Sequence, residues 1–352
     1  MMHSKHSKHS KRQLVCRTGL GLLGSALLAG GLAAQAKAPA ADASGSLDTA
    51  TIERLTGAKG SLDTAAGVFK VSVPRSDLAV QVGGVRMHPR LGLTSWAAFQ
   101  RTGHGVMVMG DMVLLESQVN PVMSVALDNR LEVTALHNHF FGDEPRIMFM
   151  HIGGHGSVED LATAVGQVFR AMKEKAPAIP RVEVDPAKTS LDAAKVEAAL
   201  GAKGEMKDGV LRFTFGKTAR MHGETVGAAM GVNTWAAFAG SDGQAAVDGD
   251  FAMEEQELQT VLKALRKGGI DVVAIHSHMT GEEPRIVFLH YWGLGPAARL
   301  AQALRSALAA QATAQTTTQA ANSNSGKSHR SARSTPHRET PCSFTSSNFC
   351  VS

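Results

Sequence analysis

Three histidines recur twice at one spacing. His137-x-His139 is followed by His151, and His276-x-His278 is followed by His290. In an extended strand, residues i and i+2 point to the same face, so each His-x-His is a pair of neighbouring rings. Imidazole is the commonest metal ligand of proteins near neutral pH. Three imidazoles, or two with a carboxylate, suit zinc, iron or copper. His137, His139, His151, His276, His278 and His290 are therefore candidate metal ligands. Glu144 and Glu283 are the candidate carboxylates, as ligands, as catalytic groups or as anchors orienting the rings, with Asp143 and Glu282 beside them. Ala135 and Ala274 lie on the histidine face and leave room for a ligand. The third histidine joins its pair only if the intervening hairpin loop has an odd number of residues, a register that sequence does not fix.

The elements that must position these rings are themselves duplicated. HNHFFGDEPRIMFMHIGG, from His137 to Gly154, matches HSHMTGEEPRIVFLHYWG, from His276 to Gly293, at ten of 18 positions. Trp96-Ala97-Ala98-Phe99 recurs as Trp235-Ala236-Ala237-Phe238, and Asp111 recurs as Asp250. Leu47-Asp48 through Gly57-Ala58-Lys59-Gly60 recurs as Leu191-Asp192 through Gly201-Ala202-Lys203-Gly204. The chain thus reads as a first repeat at 47–178, a Pro-containing linker at 179–190 and a second repeat at 191–310. Strand patterns at Val68–Val73, Val106–Met109 and Val210–Phe215 precede a helix in each copy, with Leu115, Val119, Val122 and Ala126 on one stripe. Two strands around the Gly-acid-Glu-Pro-Arg turn and a last amphipathic helix follow. The expected fold is α+β: two tandem β-α-β-β-α domains with mainly antiparallel sheets, packed as a pseudo-twofold pair. Trp96, Trp235, Phe99 and Phe238 read as core.

Composition and charge restrict the function. The 352 residues are 43% hydrophobic and 19% charged, which excludes a wholly disordered chain. The net charge of +5 belongs to the ends. Residues 1–36 carry five Lys/Arg and no acid, 311–352 carry four and one, and the body holds 27 basic and 30 acidic residues. No nucleic-acid partner is expected. Lys5, Lys8, Lys11, Arg12 and Arg17, a Gly/Ala/Leu-rich stretch and Ala34-Gln35-Ala36 read as a signal peptide at 1–36, exported by the general or the twin-arginine route. The protein is expected to be periplasmic or secreted, with no stable membrane span after cleavage. Residues 311–352, rich in Ser, Thr, Asn and Gln, read as a disordered polar tail. All three cysteines lie in these ends, so thiolate chemistry is excluded from the body.

Beyond their chemistry, the matched blocks carry a resemblance. Gly67–Arg75, GDMVLLESQVNPVMSVAL from Gly110 to Leu127, EVTALHNH, DEPRIMFMHIGGHG and AIHSHMTGEEPRIVFLHYWG resemble the LppY/LpqO family of exported bacterial proteins, a duplicated domain of unknown function. The resemblance covers nearly all of 47–310 and implies export and duplication. It implies no reaction, ligand or cofactor.

Function at this level divides three ways. An exported metal-dependent hydrolase or oxidoreductase would use the histidine blocks around a metal. A non-catalytic envelope protein would hold a small-molecule or metal ligand between its copies. A structural or interaction protein would keep the histidines as hydrogen-bonded strand residues and Glu144–Arg146 and Glu283–Arg285 as turn ion pairs. His88, His104, His155 and His222 lack full repeat matches and read as ordinary polar residues. Trp292 replaces Gly153 in the second copy and is expected to crowd that pocket, leaving the first cluster better formed.

Overall fold

The computed structural model describes residues 46–330, with side chains described as far as residue 317. The expected signal peptide lies outside the described residues. The first copy runs α1 (Thr49–Thr56), β1 (Gly60–Asp63), β2 (Val68–Pro74), β3 (Thr94–Thr102), β4 (Gly105–Leu115), α2 (Val119–Asp128), β5 (Glu132–His137), β6 (Ile147–Gly156) and α3 (Val158–Ala171). The second runs α4 (Ala193–Leu200), β7 (Glu205–Lys207), β8 (Val210–Gly216), β9 (Asn233–Gly240), β10 (Ala245–Glu254), α5 (Leu258–Gly268), β11 (Asp271–His276), β12 (Ile286–Gly295) and α6 (Ala297–Arg330). Apart from short strands at 81–86, 143–144 and 219–226 that pair outside the large sheet, each copy is thus a helix, four strands, a helix, two strands and a helix, which is longer than the β-α-β-β-α unit expected. The matched residues at the start of each repeat are the caps of the extra helix. Asp48 and Asp192 accept the N–H groups of Thr51 and Ala194, and Gly57 and Gly201 end the helices at φ of 69° and 81°.

The two copies share one sheet. Its twelve strands run β1-β2-β3-β4-β6-β5-β11-β12-β10-β9-β8-β7, an order in which each strand's counterpart stands at the mirrored place. Every ladder is antiparallel. The copies meet at β5 and β11, where Leu136 lies opposite its own counterpart, Ile275. One face is covered by helices: Ile52, Val122, Val165, Val196, Leu262 and Leu304 pack in one core with Val71, Phe99, Val108, Met150, Phe238 and Tyr291. Phe99 and Phe238 are in that core, but Trp96 and Trp235 are not. They stand half-buried on the opposite face, with Lys70 and Arg212 over their rings at 4.1 and 4.3 Å. An indole and a phenyl ring three residues apart in a strand must face opposite ways.

The seam is closed by side chains where the two central strands part. Asn120 of α2 accepts the Val272 N–H at 2.8 Å and donates to its carbonyl at 3.2 Å. Gln259 of α5 does the same for Val133, at 3.0 and 2.9 Å. Each amide from one copy satisfies backbone groups beside a bulge in the other. The bulges shift register between Val133 and Ala135 and between Val272 and Ala274. Strict alternation would put Val133 and Leu136 on opposite faces. The extra residue puts both into the helix-side core and turns Ala135 and His137 outward.

The last helix runs into the stretch whose composition reads as a tail. α6 continues through 311–330, and Gln311 is buried, donating to the Ala252 carbonyl at 2.9 Å and to Glu257 at 2.7 Å. A glutamine reads as tail in the sequence, but here it joins Lys217 and the Glu254 N–H as a partner of the fully buried Glu257 carboxylate. No described helix is long and apolar enough to cross a membrane.

Candidate functional site

On the face away from the helices, the register sets the candidate residues side by side. His151 of β6 pairs with Ala135 of β5, and His137 pairs with Phe149, so the loop is odd and all three side chains share a face. His290 of β12 pairs with Ala274, and His276 with Phe288. His139 and His278 lie just beyond their strands, yet their rings return to the same place. Each stacks at 3.4 Å on Phe149 or Phe288, and each lies 5.0–5.1 Å from the first ring of its pair. The third ring lies 5.1 Å from His137 in copy one and 4.9 Å from His276 in copy two. The six rings therefore form two convergent triads.

The acids at the triads are not the turn glutamates. Glu144 and Glu283 are exposed, and their carboxylates have no partner among the described residues. Their backbones pair with Gln81 and Arg220, outside the twelve-stranded sheet. Their neighbours hold the turn: Asp143 accepts the Ile147 N–H at 2.7 Å, and Glu282 accepts that of Ile286 at 3.0 Å. The acids facing the rings are Asp111 of β4, opposite His151, and Asp250 of β10, opposite His290. Their repeat match was visible in the sequence, but only strand order brings β4 beside β6 and β10 beside β12. Asp250 Oδ2 lies 3.8 Å from His278 Nε2, and its Oδ1 accepts the Leu289 N–H at 3.1 Å. Asp111 Oδ1 is buried without a hydrogen-bond partner among the described residues.

Burial is the first cause of every shift at the triads. Burial pushes the carboxyls of Asp111 and Asp250 above the usual aspartate range, against the pull of the three histidines beside each. Burial pushes His139 and His278 below the usual imidazole range, helped by their neighbouring rings and opposed by the aspartates. Neutral rings with free nitrogen lone pairs are the form that binds a cation.

The copies differ in the opposite sense to that expected from Trp292. In copy two, donor atoms of His276, His278 and His290 all lie within 4.8 Å of one another, a set that could hold a metal ion. In copy one, His137 and His151 bring their Nε2 atoms to 3.1 Å and share a hydrogen bond. Trp292 does not close the second cluster. It lies opposite Asp248 and Asp271 and lines a separate cavity of about 530 Å³ under the linker, with Pro180, Val182 and Leu294.

Fold and site together define a class: a duplicated mixed α/β protein on one antiparallel sheet, with three histidines and an aspartate at the same place in each copy. The family described as Domain of Unknown Function (DUF1259) matches residues 50–171 and again 194–310, and the chain belongs to it. No curated protein matches the chain. A crystal structure of a trimeric bacterial microcompartment shell protein, PduB, is similar at 13% identity and a TM-score of 0.17, over 70% of this chain and 89% of that one.

Proposed function

We propose that this is an exported metal-binding protein, with one site of three histidines and one aspartate in each copy. The observation that carries the reading is the convergence of His276, His278 and His290 within 4.8 Å beside the buried Asp250. The ligands would be His137, His139 and His151 in copy one and His276, His278 and His290 in copy two. Asp111 and Asp250 would complete each set or orient a ring. Their desolvated carboxylates, one with an unpartnered oxygen, favour an added cation. Zinc, iron(II) and copper suit this donor set. Three imidazoles on an open sheet face leave a coordination position for a small molecule, the arrangement that hydrolytic and redox metal sites share. We infer as well that the copies are related by a pseudo-twofold between Leu136 and Ile275, that the chain is of LppY/LpqO type, and that residues 1–36 direct export. The rival structural reading has the ring stacks on Phe149 and Phe288 in its favour.

Elemental analysis of purified protein tests the proposal. About two equivalents of one transition metal are expected, falling to about one in His276→Ala/His290→Ala and in His137→Ala/His151→Ala. No metal after reconstitution, or unchanged content in both variants, would leave the histidines structural. A mass spectrum of exported protein beginning at Met1 would refute cleavage near Ala36.

A further inference from the structure

We propose that the two centres act as one site, spanned by a single dianionic ligand; this rests on the metal-binding reading above. The seam sets them side by side. With Leu136 opposite Ile275, the flanking antiparallel pairs are His137 with Ala274 and Ala135 with His276. Two rows of side chains then cross the face. One reads Phe149, His137, Ala274, His290, Asp250, and the other reads Asp111, His151, Ala135, His276, Phe288. Only an alanine separates the histidines of one copy from those of the other in each row. Ala135 and Ala274 are half-buried, so they floor an open trough rather than fill it.

The spacing follows from the sheet. The first triad straddles β5 and β6 and the second straddles β11 and β12, so their centres are two strand spacings apart, about 10 Å. Metal–oxygen bonds of about 2 Å at each end leave donor atoms about 6 Å apart for one bridging ligand. The charge agrees. Two divalent ions with Asp111 and Asp250 ionised carry a net +2 among neutral imidazoles, which a dianion balances. The ligand class is a small molecule with two acidic groups at that separation, carboxylates or phosphates.

Copper(II) loading of the full chain, followed by dipolar electron paramagnetic resonance, tests the geometry. The copper–copper distance should equal those two strand spacings, about 10 Å. Calorimetry with glutarate, ethylene bis(methyl phosphate) and acetate tests the ligand and tells the two acid types apart. One dianion is expected per chain, bound at least about tenfold tighter than acetate. The preference should vanish in His276→Ala/His290→Ala, which keeps one metal, and in Ala135→Leu/Ala274→Leu, which keeps two. Two metals separated by three strand spacings or more, or a dianion preference that survives in the one-metal variant, would overturn the bridging proposal and leave the metal sites standing. Absence of metal would overturn both.

Discussion

Replacing Gln259 by leucine should damage the site of the copy to which Gln259 does not belong. The side chain donates to and accepts from the backbone of Val133, at 2.9 and 3.0 Å, beside the bulge that turns Ala135 and His137 outward. Leucine keeps most of the volume and removes both bonds. Two backbone groups are left unpaired, each worth about 1–3 kcal/mol when buried. The site is half-buried, so the lower end applies and the loss should be about 2–3 kcal/mol. For a folded body of this size that is a fall in melting temperature of about 3–5 °C. With the clamp gone the bulge can slip, and a one-residue slip sends Ala135 and His137 to the helix side. Copy two should be spared, because its bulge is held by Asn120. The assay pairs denaturant unfolding with metal analysis in the His276→Ala/His290→Ala background, where only the first site remains. Gln259→Leu should abolish the remaining metal there, and Asn120→Leu should not. A loss of stability below about 0.5 kcal/mol, the scale of an ordinary surface substitution, would refute the reasoning. Damage confined to each residue's own copy would refute it too.

Other outcomes follow from single residues. Tyr291 is the chain's one tyrosine and is fully buried, its hydroxyl donating to the Trp235 carbonyl at 2.9 Å. Burial, and then Asp248 and Asp250, push its ionisation well above the ordinary range. Its contribution to stability is therefore complete below the unfolded pKa of about 10 and is lost as pH rises past it. Tyrosinate absorbance should appear only as the protein unfolds in alkali, and an earlier appearance in folded protein would contradict this. Gly249→Ala should abolish folding, since a Cβ there would overlap Tyr291 and the Trp235 carbonyl; soluble protein with native-like circular dichroism would count against it. Lys217→Met should cost about 3 kcal/mol in urea unfolding, because Glu257, fully buried, loses its cation at 2.8 Å; a neutral result would show that Gln311 and the Glu254 N–H satisfy that carboxylate.

The sequence by itself determined the duplication and the six repeat-matched histidines, since these rest on residue identity at fixed spacing. It also showed Gly57 matched with Gly201 and Asp111 with Asp250, as repeat matches whose roles as helix caps and as site acids residue identity does not reveal. The tertiary structure alone decided which acids face the rings. Glu144 and Glu283 are near the histidines in sequence but belong to a turn, whereas Asp111 and Asp250 reach the rings across a ladder between non-consecutive strands. It also decided that His137 faces outward, because a bulge held by the other copy's Gln259 overrides simple alternation. Above all it decided that β5 and β11 join, and so that two clusters from opposite halves of the chain lie on one face of one sheet. Strand pairing between distant segments is set by the whole sheet's packing, and no local pattern encodes it.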